Sequence, residues 1–252
     1  MKKLHTKVRQ LLKDKMGRNT KILAAGIILL YSLIASNQTF SLEDFSVEYT
    51  IKKGVVTVGK ITREFKKIDD RFKFESTFET TGVTSFLKRR LYELSEGQIV
   101  NQKLVPSSYL RETTEEHKNF SLKFRDNART VERIDKNDGY VFKKIKSIQD
   151  KLSYQAQLML DFKNLEIPPN RHEPVFFIAS QKEIELYDIK NLGYKTIKTP
   201  LGKLKTIVLH RKVKNSKKED TVYLASELNW LPVRIDHLDK KGRKIVAVIA
   251  RK

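Results

Sequence analysis

Apolar and polar residues alternate with a period of two along most of this chain, and this pattern restricts its fold more than any other feature. Phe45, Val47 and Tyr49 fall on one face of a segment whose intervening residues are polar or charged, as expected for a strand with one buried face. Phe72 and Phe74 continue the pattern. Short turn signals separate the segments and predict antiparallel neighbours. The further predicted strands are 55–68, 91–99, 107–115, 120–125, 130–135, 140–145, 183–192, 194–198, 203–213, 221–224, 231–236 and 244–250.

One segment departs from this alternation and predicts a helix over residues 150–164. Asp150 is suited to cap it, and Leu152 and Met159 belong to an apolar face that other residues widen. An antiparallel sheet must bury one face, and such a helix can cover it. The predicted fold class is α+β and mostly antiparallel β, with a long curved sheet, half-open or nearly closed as a barrel, wrapped around one main helix. A shorter turn at 83–87 is expected to cover part of the same sheet.

The N-terminal segment predicts export. Residues 22–35 form an apolar run, and the flank before them carries eight basic residues and one acidic residue. This charge pattern retains an N-terminus in the cytoplasm while the apolar segment inserts. The run is shorter than the roughly 20 apolar residues that a spanning helix needs, which favours a secretory signal peptide.

Residues 1–41 are therefore interpreted as a signal peptide or N-terminal membrane anchor, and residues 42–252 as a single exported β-rich domain. No ideal cleavage site is present, and either Met1 or Met16 can be the start. Both questions stay open at this point. The expected location is the periplasm, with a tether to the inner membrane if residues 22–35 are retained.

Charge and cysteine content limit the partners. The net charge is +21, of which +14 belongs to the part after residue 41. In an exported basic protein this excess favours an anionic membrane surface or an amphiphilic ligand, and export argues against nucleic acid. Solvated strand faces explain the same charge, because lysines such as Lys52 and Lys53 are spread through nearly every segment. The chain has no Cys, so it has neither a lipidation site nor a disulfide, and its stability must come from a packed core.

The exported part offers few candidates for catalysis. Its histidines are His117, His172, His210 and His237, without an HExxH motif or another metal-binding pair four residues apart. We therefore expect no enzyme, no metal site and no cofactor. The alternative is a hydrolase whose carboxylates come from separate strands. A cleft that gathers two or more acids, or a His with a carboxylate partner, would favour that alternative.

Several short motifs give the exported region a family resemblance. In order they are Tyr49-Thr50-Ile51, Ser95-Glu96-Gly97, Asp150-Lys151-Leu152-Ser153, Thr199-Pro200-Leu201-Gly202 and Trp230-Leu231-Pro232-Val233-Arg234. This series resembles a bacterial exported family catalogued as a domain of unknown function, number three thousand one hundred and eight. The resemblance implies export and carries over no catalytic residue. Its strand pattern is similar to that of periplasmic lipoprotein carriers, which hold acyl chains between a curved sheet and a helical lid.

Structural roles account for the last two motifs without a ligand. Pro200 and Gly202 fit a turn between two strands, Trp230 suits a core anchor, and Pro232 suits an edge strand. We extend this interpretation to the whole set: Thr199, Pro200, Leu201, Gly202, Trp230, Leu231, Pro232, Val233 and Arg234.

These observations predict a periplasmic, non-enzymatic protein that binds a lipid or other amphiphile in an apolar cavity at the cell envelope. The alternative is an envelope scaffold that binds another protein through a strand edge. A cavity of several hundred cubic ångströms between the helix and the sheet would favour binding, and a close-packed seam would favour the scaffold. The residues expected to line the cavity are Phe72, Phe74, Phe120, Phe124, Met159 and Phe176.

Overall fold

The computed structural model describes residues 42–134, 141–143, 147–165, 169–212 and 218–252. The predicted signal peptide or anchor, residues 1–41, lies outside the described residues. One α-helix, α1 (Ser153–Lys163), follows the ninth strand in the described part of the chain. The strands are β1 (Phe45–Lys53), β2 (Val56–Ile68), β3 (Arg71–Thr80), β4 (Arg90–Val100), β5 (Lys103–Thr113), β6 (Phe120–Arg125), β7 (Thr130–Arg133), β8 (Val141–Lys143), β9 (Ile148–Gln149), β10 (Val175–Ala179), β11 (Ile184–Thr199), β12 (Gly202–Lys212), β13 (Glu219–Ala225), β14 (Leu231–Leu238) and β15 (Lys244–Arg251).

All fifteen strands belong to one sheet, in the order β8-β7-β6-β5-β4-β3-β2-β1-β15-β14-β13-β12-β11-β10-β9. Strands adjacent in sequence pair as antiparallel hairpins from β1 to β8 and from β10 to β15, and β1 pairs with β15. Among the described residues, the one parallel pairing is between β9 and β10. The short turns explain this topology, because a connection of a few residues cannot join parallel neighbours.

The sheet curves until its two ends meet. The Ile148 N–H on β9 donates to the Ala128 carbonyl at 2.6 Å, beside the β6–β7 turn. The side-chain amide of Gln149 donates to the Leu104 carbonyl on β5 at 2.7 Å. The predicted class is therefore confirmed: the fold is mostly antiparallel β, with one long, nearly closed sheet and one main helix.

Helix α1 is buried between the two halves of the curved sheet. Ala156 and Met159 belong to a core cluster shared with strands β1 to β7 and the β14–β15 side. Leu158 and Phe162 belong to a second cluster with residues of β10 to β13. A helix that contacts sheet on both sides needs apolar residues around most of its circumference, which explains its wide apolar arc.

Three local expectations differ from the structure. The turn at 83–87 is a 3-10 helix (Gly82–Leu87) that lies beside β2 but buries none of its own residues, and Phe86 is strongly exposed. The segments 183–192 and 194–198 form the single strand β11, whose register shifts between Asn191 and Tyr194. Pro232 lies on an interior strand, and its missing N–H is tolerated because the ladder with β15 begins at Arg234.

Candidate ligand-binding cleft

The six residues expected to line an apolar cavity are all buried. Five of them, including Phe72 and Met159, share the larger core cluster, and Phe176 belongs to the second. Aromatic neighbours surround several of them: the Phe74 ring lies 5.7 Å from that of Phe65, and the Phe120 ring lies 5.7 Å from that of Tyr109. The sequence placed these side chains in the interior, and their predicted contact with a ligand stays a prediction.

The pockets described along the seam between α1 and the sheet are small. A pocket of about 30 Å³ lies beside Met159, and one of about 20 Å³ lies beside Leu158. A water molecule in the liquid occupies about 30 Å³, so neither space accommodates an acyl chain.

A larger groove of about 700 Å³ runs over β2 to β5 and the β6–β7 turn, and we call it the β2–β5 groove. Phe72 and Phe124 contribute to its lining, so two of the predicted cavity residues meet there. Several of its cations already have carboxylate partners: Lys66 with Glu64 at 3.0 Å, for example. Lys73 and Arg125 are paired in the same way with Glu75 and Glu132. This groove therefore carries little uncompensated charge.

A second cavity of about 290 Å³ lies where β2, β4 and β5 face β11 to β14 across the N-terminal end of α1. We call it the cation-lined cleft. Five basic and three acidic residues line it, besides His237. The lining residues are Arg63, Glu93, Arg111, Lys151, Tyr154, Gln155, Glu185, Tyr187, Arg211, Lys218, Asp220, Val222, Ile235 and His237.

The acids of the cleft are engaged by some of its cations. Glu93 accepts from the Arg111 guanidinium at 3.0 Å. Asp220 pairs with Arg211 and with His237, whose Nδ1 lies 2.6 Å from the carboxylate. Burial alone would raise the pKa of Asp220, but hydrogen bonds and charge from His237 and Arg211 outweigh it and lower the pKa. Asp220 is therefore ionised at neutral pH.

Arg63 has no carboxylate partner among the described residues. Its Nη1 donates to the side-chain oxygen of Gln155 at 2.8 Å, and its guanidinium lies 5.4 Å from the Tyr49 ring centroid. Its Nε is buried without a hydrogen-bond partner in the described part of the chain. A buried donor left unsatisfied costs about 1–3 kcal/mol, so this atom favours an acceptor supplied by a ligand.

Lys151 is the second cation of the cleft that has no ion pair among the described residues. Burial lowers its pKa, and the charges of Arg111 and Lys218 act in the same direction while Glu93 and Glu185 oppose them. Bringing an anion into the cleft would stabilise the charged amine. Arg63 and Lys151 therefore leave the cleft short of negative charge.

The position of Lys151 is set by its neighbour Asp150, which is buried. The Asp150 carboxylate accepts from the N–H groups of Leu152 and Ser153 at 2.8 and 2.9 Å and from the Ser95 hydroxyl at 2.6 Å. Burial raises the pKa of Asp150, although these hydrogen bonds oppose the increase. The first N–H groups of α1 are thus occupied by Asp150, and Arg63 and Lys151 remain for a ligand.

Two tyrosines add neutral polar groups. The rings of Tyr154 and Tyr187 meet edge to face at 5.3 Å, and the Arg211 guanidinium lies 3.7 Å from the Tyr187 ring centroid. Burial raises the pKa of Tyr154 to about 12, so its hydroxyl is protonated at neutral pH and can donate a hydrogen bond.

The cleft also meets the condition set for a hydrolase, because it gathers three acids and a His with a carboxylate partner. No serine or threonine is among its lining residues in the described part of the chain. Within the described ranges, no group of three or more His, Cys, Asp or Glu residues is placed to hold a metal ion. In the same ranges no helix has the length and apolar character needed to cross a membrane.

The other histidines lie apart from the cleft lining. The His172 ring packs edge to face on Phe162 at 5.1 Å, and burial lowers its pKa. His210 Nδ1 lies 3.2 Å from the Thr221 hydroxyl, and the His117 carbonyl accepts from a side-chain amide on an exposed turn.

The final motifs occupy turns and core positions. The Thr199 hydroxyl accepts from the Leu201 N–H at 3.1 Å in the β11–β12 turn, and Gly202 has φ +110, a backbone conformation that favours glycine. Trp230 lies 5.3 Å from the Phe162 ring and contacts both core clusters. Leu231, Pro232 and Val233 are buried, and Arg234 binds Asp236 at 2.6 Å.

Sequence reasoning missed most of the cleft because its residues come from seven strands and the start of α1. Among the charged residues of the cleft, only Lys151 stands in a motif of the family resemblance, and only His237 is among the reactive groups that the sequence suggests. Opposite-charge pairs between neighbouring strands, such as Arg211 and Asp220, become visible only once the register is known.

A model of the family described as "Protein of unknown function (DUF3108)" matches residues 44–248. No curated protein matches the chain. Among solved structures, a candidate lipoprotein from Parabacteroides distasonis ATCC 8503 is similar, with 9% sequence identity, a TM-score of 0.33, and coverage of 83% of this chain and 95% of that one. A candidate exported protein with a YmcC-like fold from Bacteroides fragilis NCTC 9343 has 8% identity, a TM-score of 0.36, and coverage of 84% and 96%.

Proposed function

The chain belongs to the DUF3108 family, whose description assigns no function, and from the chemistry of the cation-lined cleft we propose that it is a non-enzymatic envelope protein that binds the anionic head of a lipid or other amphiphile. The observation that carries this proposal is the pair of uncompensated cations in one cleft. Arg63 has a buried Nε without a partner among the described residues, and Lys151 has no ion pair there. A phosphate or carboxylate group supplies the missing acceptors and the missing negative charge.

The size of the cleft suits a head group and not an acyl chain. Its volume of about 290 Å³ lies near the lower limit of ligand pockets, about 300 Å³. The pockets described along α1, of 30 and 20 Å³, are too small for an acyl chain. The proposed site therefore moves from the apolar helix seam to the charged cleft, and any acyl chains of the ligand stay outside it.

The expected location supports a lipid as the source of the anion. The basic flank and the apolar run of residues 22–35 predict export, and the exported part keeps a charge of +14. Membrane lipids with phosphate groups are the anions that an envelope protein meets at high local concentration.

Calorimetry on the purified full chain tests the proposal with three probes: inorganic phosphate, glycerol 3-phosphate and phosphatidylglycerol in detergent micelles. We expect the Arg63→Gln and Lys151→Gln variants to bind every probe that the parent chain binds, but at least about tenfold more weakly. The reason is that a charge-assisted hydrogen bond contributes about 1.5–3 kcal/mol. The matched control is Lys73→Gln in the β2–β5 groove, which should bind like the parent.

The probes separate the possible sources of the anion. Binding of phosphatidylglycerol alone would assign a lipid, whereas equal binding of glycerol 3-phosphate would assign a soluble phosphoester. Equal loss in Lys73→Gln, or unchanged binding in both cleft variants, would contradict the proposed site.

Hydrolysis of a phosphoester is a second candidate function, and the His237–Asp220 pair favours it. Asp220 orients the His237 ring, so His237 can accept a proton from an attacking water. Release of phosphate or alcohol from glycerol 3-phosphate, lost in His237→Gln with binding retained, would support this function over simple binding.

Nothing comparable favours a scaffold that binds protein through a strand edge. The terminal strands β8 and β9 have three and two residues, and β9 is already hydrogen-bonded to Ala128. Crosslinking of the chain in cells to a single protein would support the scaffold hypothesis.

A further inference from the structure

Three apolar side chains at one end of the sheet are strongly exposed to solvent. Val55 in the β1–β2 turn is 96% exposed, and Val83 and Phe86 in the 3-10 helix Gly82–Leu87 are 67% and 74% exposed. Val56 and Leu87 beside them are also exposed. Exposing this much contiguous apolar surface is unfavourable unless it has a partner, so the group calls for a functional explanation.

Hydrogen bonds anchor the 3-10 helix to the start of β2. The Thr81 N–H donates to the Val58 carbonyl at 3.3 Å, and the Thr84 hydroxyl donates to the same carbonyl at 2.6 Å. Gly82 lies so close to β2 that an added Cβ would be 3.2 Å from the Thr57 carbonyl. The apolar side chains therefore project from an anchored structure, which presents them together.

Basic residues flank this apolar surface on both sides. Lys52 and Lys53 precede the β1–β2 turn, and Lys88-Arg89-Arg90 follow the 3-10 helix. All five are exposed, and none has an ion-pair partner among the described residues. We call the combined surface the basic apolar tip, comprising Lys52, Lys53, Val55, Val56, Val83, Phe86, Leu87, Lys88, Arg89 and Arg90.

Further charges lie at the same end of the sheet. Lys52 pairs with Val246, so the β14–β15 turn with the exposed residues Lys240 and Lys241 lies at this end too. The β5–β6 connection contributes Glu115 and Glu116, and Glu115 is neutralised by Lys118. The balance at this end stays positive.

We infer that the basic apolar tip docks on an anionic lipid bilayer, with Val83 and Phe86 entering the boundary between head groups and acyl chains. Lys and Arg at the rim then lie at the depth of the lipid phosphates, where each contributes about a five-fold gain in affinity. Rings and aliphatic groups at the centre with cations around them are the arrangement that an anionic membrane surface complements. This surface is separate from the cation-lined cleft, and its role is independent of the ligand bound there.

A site-specific label tests this inference on the full chain. The sequence contains no Cys, so Phe86→Cys carries a single environment-sensitive fluorophore. With phosphatidylglycerol vesicles we expect a blue shift of the label and protection from an aqueous quencher. Vesicles of phosphatidylcholine alone should leave the label accessible. Because every variant keeps residues 22–35, any membrane binding by that segment is the same in all of them.

Labels at two other exposed apolar positions are the matched controls. Ile68 and Leu192 are 68% and 61% exposed and lie outside the tip, so Ile68→Cys and Leu192→Cys should report no insertion. The triple variant Lys88→Gln, Arg89→Gln and Arg90→Gln should weaken protection of the label at position 86 by about 100-fold in vesicle concentration. Because all these residues are exposed, the variants should fold like the parent, and circular dichroism checks this.

Three outcomes would overturn the inference. The first is that the fluorescence of the label at position 86 does not shift with anionic vesicles. The second is that labels at positions 86 and 192 are equally protected from the quencher, and the third is that the triple variant protects the label as well as the parent does. Protection of the label at position 86 by an added envelope protein, without vesicles, would assign the tip to a protein partner instead.

Discussion

The Ser95 hydroxyl donates a 2.6 Å hydrogen bond to the carboxylate of Asp150, and both residues are buried. Ser95 lies on β4 and Asp150 lies three residues before the first residue of α1, so this bond joins the sheet to the start of the helix. Ser153 completes the group, because its hydroxyl donates to the same carboxylate at 2.8 Å. Two motifs that were far apart in the sequence therefore meet in one structural unit beside Lys151.

Replacing Ser95 should destabilise the protein. In Ser95→Ala the buried Asp150 carboxyl loses a hydrogen-bond donor inside the core, and we expect the free energy of unfolding to fall by about 1–3 kcal/mol. Urea denaturation measures this change. Ser107→Ala, which removes an exposed hydroxyl from the neighbouring strand β5, is the control and should change stability by less than about 0.5 kcal/mol. Equal stability of Ser95→Ala and the parent would show that water replaces the lost donor.

A second long-range bond connects the first and last motifs. The buried Tyr49 hydroxyl donates to the Pro232 carbonyl at 2.7 Å, across 183 positions of sequence. Tyr49→Phe leaves that carbonyl unsatisfied, and we expect a loss of about 1–2 kcal/mol in the free energy of unfolding. Tyr194→Phe, at an exposed ring on β11, should be close to neutral in the same thermal or urea measurement. A larger effect from Tyr194→Phe would contradict this assignment.

Gly97 has no room for a side chain. A Cβ built on it would lie 2.2 Å from the Val105 carbonyl and 2.7 Å from the Phe72 ring. A backbone carbonyl and a buried ring cannot easily move aside, so Gly97→Ala should lower the free energy of unfolding by about 1–3 kcal/mol. Glu96→Ala, at the exposed preceding residue, serves as the control. If both variants unfold at the same urea concentration as the parent, this contradicts the prediction that β4 and β5 leave no room for a side chain at position 97.

Anion binding in the cleft should depend on pH through Lys151. Burial lowers the pKa of Lys151 below the ordinary value of 10.5. Below that lowered pKa the amine is charged and attracts the anion, and above it the attraction is lost. Affinity for the anionic probe should therefore fall as the pH rises from neutral toward 10. Calorimetry across that range on the parent and on Lys151→Arg makes the comparison, because arginine stays charged throughout. Identical pH dependence in the two proteins would exclude Lys151 as the titrating group.

Much of the fold follows from periodicity. The alternation of Phe45, Val47 and Tyr49 and the apolar arc around Met159 are local patterns, and they predicted strands, the helix and a curved sheet covering that helix. The sequence predicts that the turn at 83–87, with its apolar residues, covers part of the sheet. In the structure they point into solvent, since composition does not reveal which side of a connection faces the strands.

The candidate site was much less predictable. The motifs containing Ser95 and Asp150 identified positions of structural importance, but the charged residues of the cleft carry no recognisable spacing. Arg63 and Lys151 are 88 positions apart, and nothing local distinguishes them from the many other basic residues.

The sequence by itself determined the alternation of the strands, the main helix and the absence of disulfides, and it predicts export, because each of these depends on residue type and short-range order. Only the tertiary structure decided that the described pockets along the helix are small, that two cations in one cleft lack counter-charges among the described residues, and that exposed apolar side chains gather at one end of the sheet. Burial and charge compensation depend on which strands become neighbours. That pairing is set by the curvature and register of fifteen strands together, and not by any one segment.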